Sequence, residues 1–223
     1  MSARRLLAIV MLAALAGCAQ PPPKVAAPPQ PQIVDPDTAC LQELSRLQAS
    51  FEPLQSFGDE DAGCRIANPV RVSQATIPWS RPGTLSCSMA RTLAHFEAEV
   101  IQPAAQQRFG QPVKRILHAG TYDCRYRRNG STKVAAGSGG IKGGRLSEHA
   151  HGLAIDITGF ELADGSRVTV AKDWRGAGER SAFLQQVARS SCSTFNVVLT
   201  PNHDRLHQDH LHLDIGPYTL CGY

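Results

Sequence analysis

The chain has 223 residues, a formal net charge of +4, 42% hydrophobic residues and seven cysteines. That length supports one ordinary domain with a core of its own, even after a leader and a linker are set aside. So mild a charge argues against a nucleic-acid partner.

Residues 1–17 read as an exported leader. Arg4 and Arg5 precede an apolar run from Leu6 to Ala16 that is too short to span a bilayer as a mature helix. Loss of the two arginines takes the net charge from +4 to about +2. The close of this segment, Leu15 to Cys18, resembles the lipobox of bacterial lipoproteins. That resemblance implies lipidation of Cys18 and attachment to a membrane through the lipid. With Ala19 and Gln20 following and no aspartate, it implies the periplasmic face of the outer membrane. A plain cleavable signal or an uncleaved anchor is the alternative. Residues 18–37 are rich in proline, which favours an extended, semi-rigid tether of about 3 Å per residue. The folded domain is expected over 38–223.

Within it, Asp37 or Thr38 can cap a helix that carries Leu41, Leu44 and Leu47 on one face. Cys64 to Val72 reads as a strand broken by Pro69, hence an edge or the beginning of a strand. From Ser86, the helical spacing of Met89, Leu93, Phe96 and Val100 marks a helix, with Pro103 ending it or opening a new turn. Strands are expected over 113–120, 123–128, 195–200 and 210–215, and a second helix around Phe183, Leu184 and Val187. The glycine-rich span 128–146 is too long for an ordinary connection and reads as a mobile loop beside a site. Mixed helices and strands without regular alternation indicate an α+β fold: a small antiparallel sheet flanked by helices.

Cysteine use agrees with export. Setting Cys18 aside leaves Cys40, Cys64, Cys87, Cys124, Cys192 and Cys221, an even number suited to three disulfides. The pairing first in line is Cys40 with Cys64, Cys87 with Cys124, and Cys192 with Cys221. No Cys-x-x-Cys knuckle is present, which argues against a cysteine zinc site.

Two segments carry the chemistry. In Ser147 to Ile157, Leu153, Ile155 and Ile157 alternate with Ala154 and Asp156, so a carboxylate sits in a strand shortly after His149 and His151. In His207 to Ile215, His210 and His212 fall two apart with Leu211 and Leu213 between and behind them. Burying such groups unpaired costs several kcal/mol, a cost that a shared cation removes. Two neutral imidazoles and one carboxylate make an open tetrahedral zinc set with room for water. From composition alone, His149 and His151 are both candidates for the first ligand. The bland alternative is two solvated strands with ordinary surface residues. His118 and His203 have no partner visible in sequence and read as packed or surface histidines.

Ser147, His149, Gly152, Ala154 and Asp156, with the later His-x-Asp-His-x-His, resemble the zinc D-Ala-D-Ala carboxypeptidases and the lysostaphin-type enzymes. From about Cys40 to Tyr223 the chain is most similar to the extensin-like C-terminal domain family of bacterial proteins. The resemblance implies that His149, Asp156 and His212 bind one zinc ion and that Asp209 is the general base. It makes His210 and His207 further site histidines. It also places Tyr122 and Arg125 where relatives carry an arginine for a substrate carboxylate or developing charge. Ser147 and His151 fall at the cleft. For Asp209 to face the zinc, the last strand must start at about His210. The implied activity is hydrolysis of peptidoglycan stem peptides at a D,D linkage. A non-catalytic envelope module and a metallopeptidase with another substrate are the alternatives.

Overall fold

The structure, a computed structural model, describes residues 36–59, 61–127 and 144–223. The leader, Cys18 and nearly all of the 18–37 tether lie outside the described residues, as does 128–143 of the glycine-rich span. No helix among the described residues is long and apolar enough to cross a membrane.

The fold is α+β, but its sheet is neither small nor purely antiparallel. The strands are β1 (Ser50–Pro53), β2 (Phe57–Asp59), β3 (Cys64–Ile66), β4 (Pro69–Gln74), β5 (Pro78–Ser86), β6 (Val113–Gly120), β7 (Ala154–Leu162), β8 (Arg167–Thr169), β9 (Val197–Leu199), β10 (Leu211–Asp214) and β11 (Leu220–Gly222). Nine of them form one sheet in the order β1-β4-β5-β6-β7-β10-β9-β11, with β8 also on β7, while β2 and β3 form a separate hairpin. The β5–β6 and β9–β11 pairs are parallel and the rest antiparallel. Cys64 to Val72 is thus two strands in two sheets. Pro69 opens β4, which lies inside the sheet, between β1 and β5. The segment after Asp123 is no strand: it makes one isolated bridge, Tyr126 with Leu146.

Helix α1 (Pro36–Arg46) starts slightly before the expected cap and buries Leu44. Helix α2 (Cys87–Phe96) begins at Ser86, whose hydroxyl accepts the Met89 N–H at 3.2 Å. Its apolar stripe of Met89, Leu93 and Phe96 is buried, each side chain contributing about 1.5–3 kcal/mol by leaving water. A π-turn, Glu97–Ile101, then leads into α3 (Gln102–Phe109), with Pro103 in the first turn of that helix. The short helix α4 (Val170–Asp173) follows β8, and α5 (Glu179–Ser191) packs Phe183 against Phe160 of β7 with ring centroids 5.1 Å apart.

Three disulfides are present, two of them paired otherwise than expected. Cys40 joins Cys87 and Cys64 joins Cys124, while Cys192 does join Cys221. The topology decides this. Helix α1 packs on α2, which brings Cys40 and Cys87 to a Cα separation of 6.2 Å. The β2–β3 hairpin lies against the chain leaving β6, so Cys64 meets Cys124.

Glu97, on the π-turn, is fully buried. Its carboxylate accepts from the Thr76 and Ile77 N–H groups (both 2.7 Å), the Thr76 hydroxyl (3.0 Å) and Trp79 Nε1 (2.8 Å). Burial pushes its pKa up to about 7 against the pull of these donors. Glu97→Gln turns an NH2 group toward donors and is expected to cost about 1–3 kcal/mol, read from urea unfolding.

Candidate metal centre

Asp156 and His212 are cross-strand partners in the β7–β10 ladder, so their side chains share one face. On the other face Ile155, Ile157, Leu211 and Leu213 are all fully buried. The strand alternation therefore anchors both polar groups from behind. His149 comes from a 3-10 turn, Glu148–His151, closed by Gly152 at φ +64°. A Cβ at Gly152 would also come within 2.8 Å of Ile66 Cδ1 and 2.9 Å of the Ser86 nitrogen, so glycine is required twice over.

These elements bring three potential ligand atoms together. His149 Nε2 lies 3.2 Å from Asp156 Oδ1 and 3.3 Å from His212 Nδ1, and His212 Nδ1 lies 2.9 Å from Asp156 Oδ1. The far nitrogens are already committed. His149 Nδ1–H donates to the Thr121 carbonyl, and His212 Nε2–H donates to Asp214 Oδ2 at 3.1 Å. In each neutral ring the lone pair then faces the common point, the arrangement that ligating histidines require. Tetrahedral ligands bonded at about 2.0–2.1 Å are separated by roughly 3.3 Å, close to the observed edges. His149, Asp156 and His212 are thus a triad that could hold a metal ion.

The supports are built in. Thr121 is pinned to β5, because its hydroxyl accepts the Thr84 N–H at 3.0 Å and Tyr122 N–H donates to the Thr84 carbonyl at 3.1 Å. Asp214, almost wholly buried, accepts the Gly216 N–H at 2.9 Å with its other oxygen. Two carboxylates therefore flank one buried imidazole. Burial pushes the His212 pKa down, but bonds to Asp156 and Asp214 outweigh it and raise the pKa to about 9. Burial raises the Asp156 carboxyl, yet His149 and His212 hold it well below the carboxylate range. With neutral rings the two carboxylates carry a charge that a dication balances.

Asp156 and His212 of the triad line a cavity of about 250 Å³, whereas His149 is buried and does not line it. Arg125 and Arg127 line it, as do the aliphatic Val197, Leu199 and Leu206. Ser147 also lines it. Arg125 is ion-paired with Asp123 at 2.9 Å.

The other expected site residues fall in three places. His210 precedes β10 and brings Nε2 to 3.6 Å from Asp156 Oδ1, while its Nδ1–H donates to Asp209 Oδ1 at 2.8 Å. Asp209 itself is 72% exposed at its side chain and does not line the cavity. The last strand does start just after His210, so the required turn exists; within it Asp209 reaches the triad only through His210. His207 lines the cavity 5.9 Å from the His212 ring, centroid to centroid, and donates Nδ1–H to Asp204 at 2.7 Å. Burial lowers the pKa of His207 against the upward pull of Asp204.

Tyr122 and His151 are not brought to this cavity. Tyr122 packs edge-on against Phe57 at 5.1 Å, beside a different hollow. His151 turns the other way from His149, into a third hollow, with Nδ1 3.4 Å from the Arg65 carbonyl. His118 is packed, donating Nε2–H to the Arg81 carbonyl, and His203 stands beside Asp204.

Asp214, Asp204, Glu148 and Arg127 were missed in the sequence. Asp214 had a signal, since two residues past His212 it shares that strand face. Asp204 had one too, as the residue capping a turn that ends at His207: its side chain accepts the Leu206 and His207 N–H groups. The Thr121 carbonyl has no side-chain signature at all.

Comparison with curated proteins gives no match, and comparison with solved structures gives none either. One family does match, described as extensin-like protein C-terminus, over residues 38–222. These residues include the whole triad, its supporting strands and all three disulfides, and the chain belongs to the extensin-like C-terminal family.

Proposed function

We propose that this domain is a zinc-dependent peptidase of the cell envelope, cutting amide bonds in peptidoglycan stem peptides at a D,D linkage. The observation that carries the reading is the convergence of His149 Nε2, Asp156 Oδ1 and His212 Nδ1 within 3.3 Å, with both outer imidazole N–H groups already donated. When bound there, zinc supplies Lewis acidity that polarises a scissile carbonyl and acidifies water toward a pKa of about 7. The resemblance to D-Ala-D-Ala carboxypeptidases supplies the substrate class. The leader, Cys18 and the proline-rich tether would hold the domain at the periplasmic face of the outer membrane.

The chain's own residues divide the remaining work. Asp209 orients His210, and Asp204 orients His207, which puts two buttressed imidazoles beside the triad. Either ring can take a proton from the attacking water and return it to the leaving amine. Arg125 offers its guanidinium to a substrate carboxylate or to charge developing on the carbonyl oxygen. The aliphatic Val197, Leu199 and Leu206 of the cavity suit small apolar side chains next to the cut bond.

One observation favours a second reading. Asp209 is exposed and off the cavity, which would suit an envelope module that binds metal without catalysis. Digestion of purified muropeptides by the zinc-loaded protein, followed by mass spectrometry, separates the two. The peptidase reading expects loss of a terminal residue or of a cross-link. It further expects His210→Ala and His207→Ala to lower kcat by about 10²–10⁴ between them while zinc content holds, with Asp209→Ala acting through His210. Stoichiometric zinc with every muropeptide intact would leave only the binding module.

A further inference from the structure

The mouth of the cavity carries a second cationic feature, separate from Arg125. Arg127 and Arg145 both stack on the Tyr218 ring, with Cζ 4.8 Å and 5.1 Å from its centroid. Their backbones are joined, since Arg127 N–H donates to the Arg145 carbonyl at 2.8 Å. Arg127 is further fixed by Glu148, whose Oε1 accepts from Nη2 at 2.8 Å. The Glu148 side chain is only 7% exposed, in a space that exists because residue 216 is glycine; a Cβ there would fall 2.5 Å from Glu148 Cδ.

Two guanidinium groups on one ring repel each other, and Glu148 balances just one. The Arg145 guanidinium has no carboxylate partner among the described residues, and Tyr218 is 42% exposed. Arg127 also lines the cavity that Asp156 and His212 line, and Arg145, stacked on the same ring, is exposed. A planar fork with free donors, held by stacking beside an occupied one, is a ready receptor for a carboxylate.

We propose that Arg145, with Arg127 and Tyr218, is a subsite for a carboxylate that the substrate carries away from the bond being cut. The choice of substrate rests on the peptidase reading above; the subsite does not depend on turnover. It favours stem peptides whose side carboxylates are free over those in which they are amidated. Because the subsite is exposed, the preference shrinks as salt rises.

The test is calorimetric titration of the full, zinc-loaded protein with two synthetic stem tripeptides that differ only in free or amidated side carboxylates. Wild type is expected to bind the free form about tenfold more tightly, the scale of a hydrogen-bonded charge. Arg145→Gln and Tyr218→Ala reduce that ratio to about two or less, with zinc content unchanged, whereas Tyr218→Phe keeps it because the ring remains. Equal affinities in wild type, or an undiminished ratio in Arg145→Gln, overturn the subsite. The tripeptides carry no D,D bond and report binding alone; a preserved preference with every muropeptide of the zinc-loaded digestion intact overturns the peptidase and leaves the subsite standing. Muropeptide cutting with no tripeptide preference does the reverse.

Discussion

His212→Ala is expected to abolish stoichiometric zinc binding, with wild type holding about one ion per chain and the variant close to none by elemental analysis. The loss should exceed the roughly 100-fold that changes outside the ligand shell cost. His212 supplies Nδ1, one of three converging atoms, and its ring bridges Asp156 and Asp214. Its removal leaves Asp214 without its imidazole partner and Asp156 with His149 alone, too few ligands to hold the ion. His149→Ala should behave alike. His151→Ala is the informative contrast, because composition allowed it as the ligand, whereas its ring lies in another hollow. Full zinc content in His151→Ala together with loss in His149→Ala fixes the ligand set; retained zinc in His212→Ala would refute it. Unfolding curves separate metal loss from collapse, since Leu211 and Leu213 still anchor β10 in the core.

That contrast shows how far the sequence could be read. Asp156 and His212 were legible because β7 and β10 each carry one wholly aliphatic face here, and a period of two aims the alternate side chains the other way. His149 and His151 were not separable in that way. As strand residues two apart they would point together, but they sit on a 3-10 turn with three residues per turn, so their directions diverge by about 120°. Strand β5 was hidden by Pro78, Pro82 and Gly83, residues that suppress a strand signal. It matters to the site because it holds Thr121, whose carbonyl fixes the His149 tautomer. Disulfide partners were illegible for a related reason: they follow from which elements pack together, and spacing along the chain carries no information about that. Asp209 shows the limit of a motif. Its place three residues before His212 is as expected, yet the turn points its carboxylate at His210 and water.

Zinc affinity is expected to fall about tenfold for each pH unit below about 9, near three decades between pH 9 and pH 6. In the metal-free protein a proton occupies His212 Nδ1, where the lone pair is needed, and Asp156 and Asp214 hold it there up to a pKa of about 9. Asp156 stays ionised throughout this range, because its own pKa lies well below the carboxylate norm. His212 therefore releases one proton per ion bound. The sign for stability follows from the same group. A folded pKa raised above 6.5 stabilises the metal-free protein fully below pH 6.5, and that contribution is lost as pH rises through about 9. In the zinc-loaded protein a falling Kd adds RT ln(1 + [Zn]/Kd) over the same interval and offsets that loss, so its stability stays level while that of the metal-free protein declines. Melting temperatures with and without zinc should thus separate progressively from pH 6 to pH 9, and competition with a chromophoric chelator should report the slope directly. Asp214→Asn removes one of the two carboxylates that retain the proton, so its affinity should level off at a lower pH, and at a weaker value by about 10–100-fold. A flat affinity from pH 6 to pH 9 would mean that His212 carries no competing proton, and that the Asp156–His212–Asp214 row does not govern the metal.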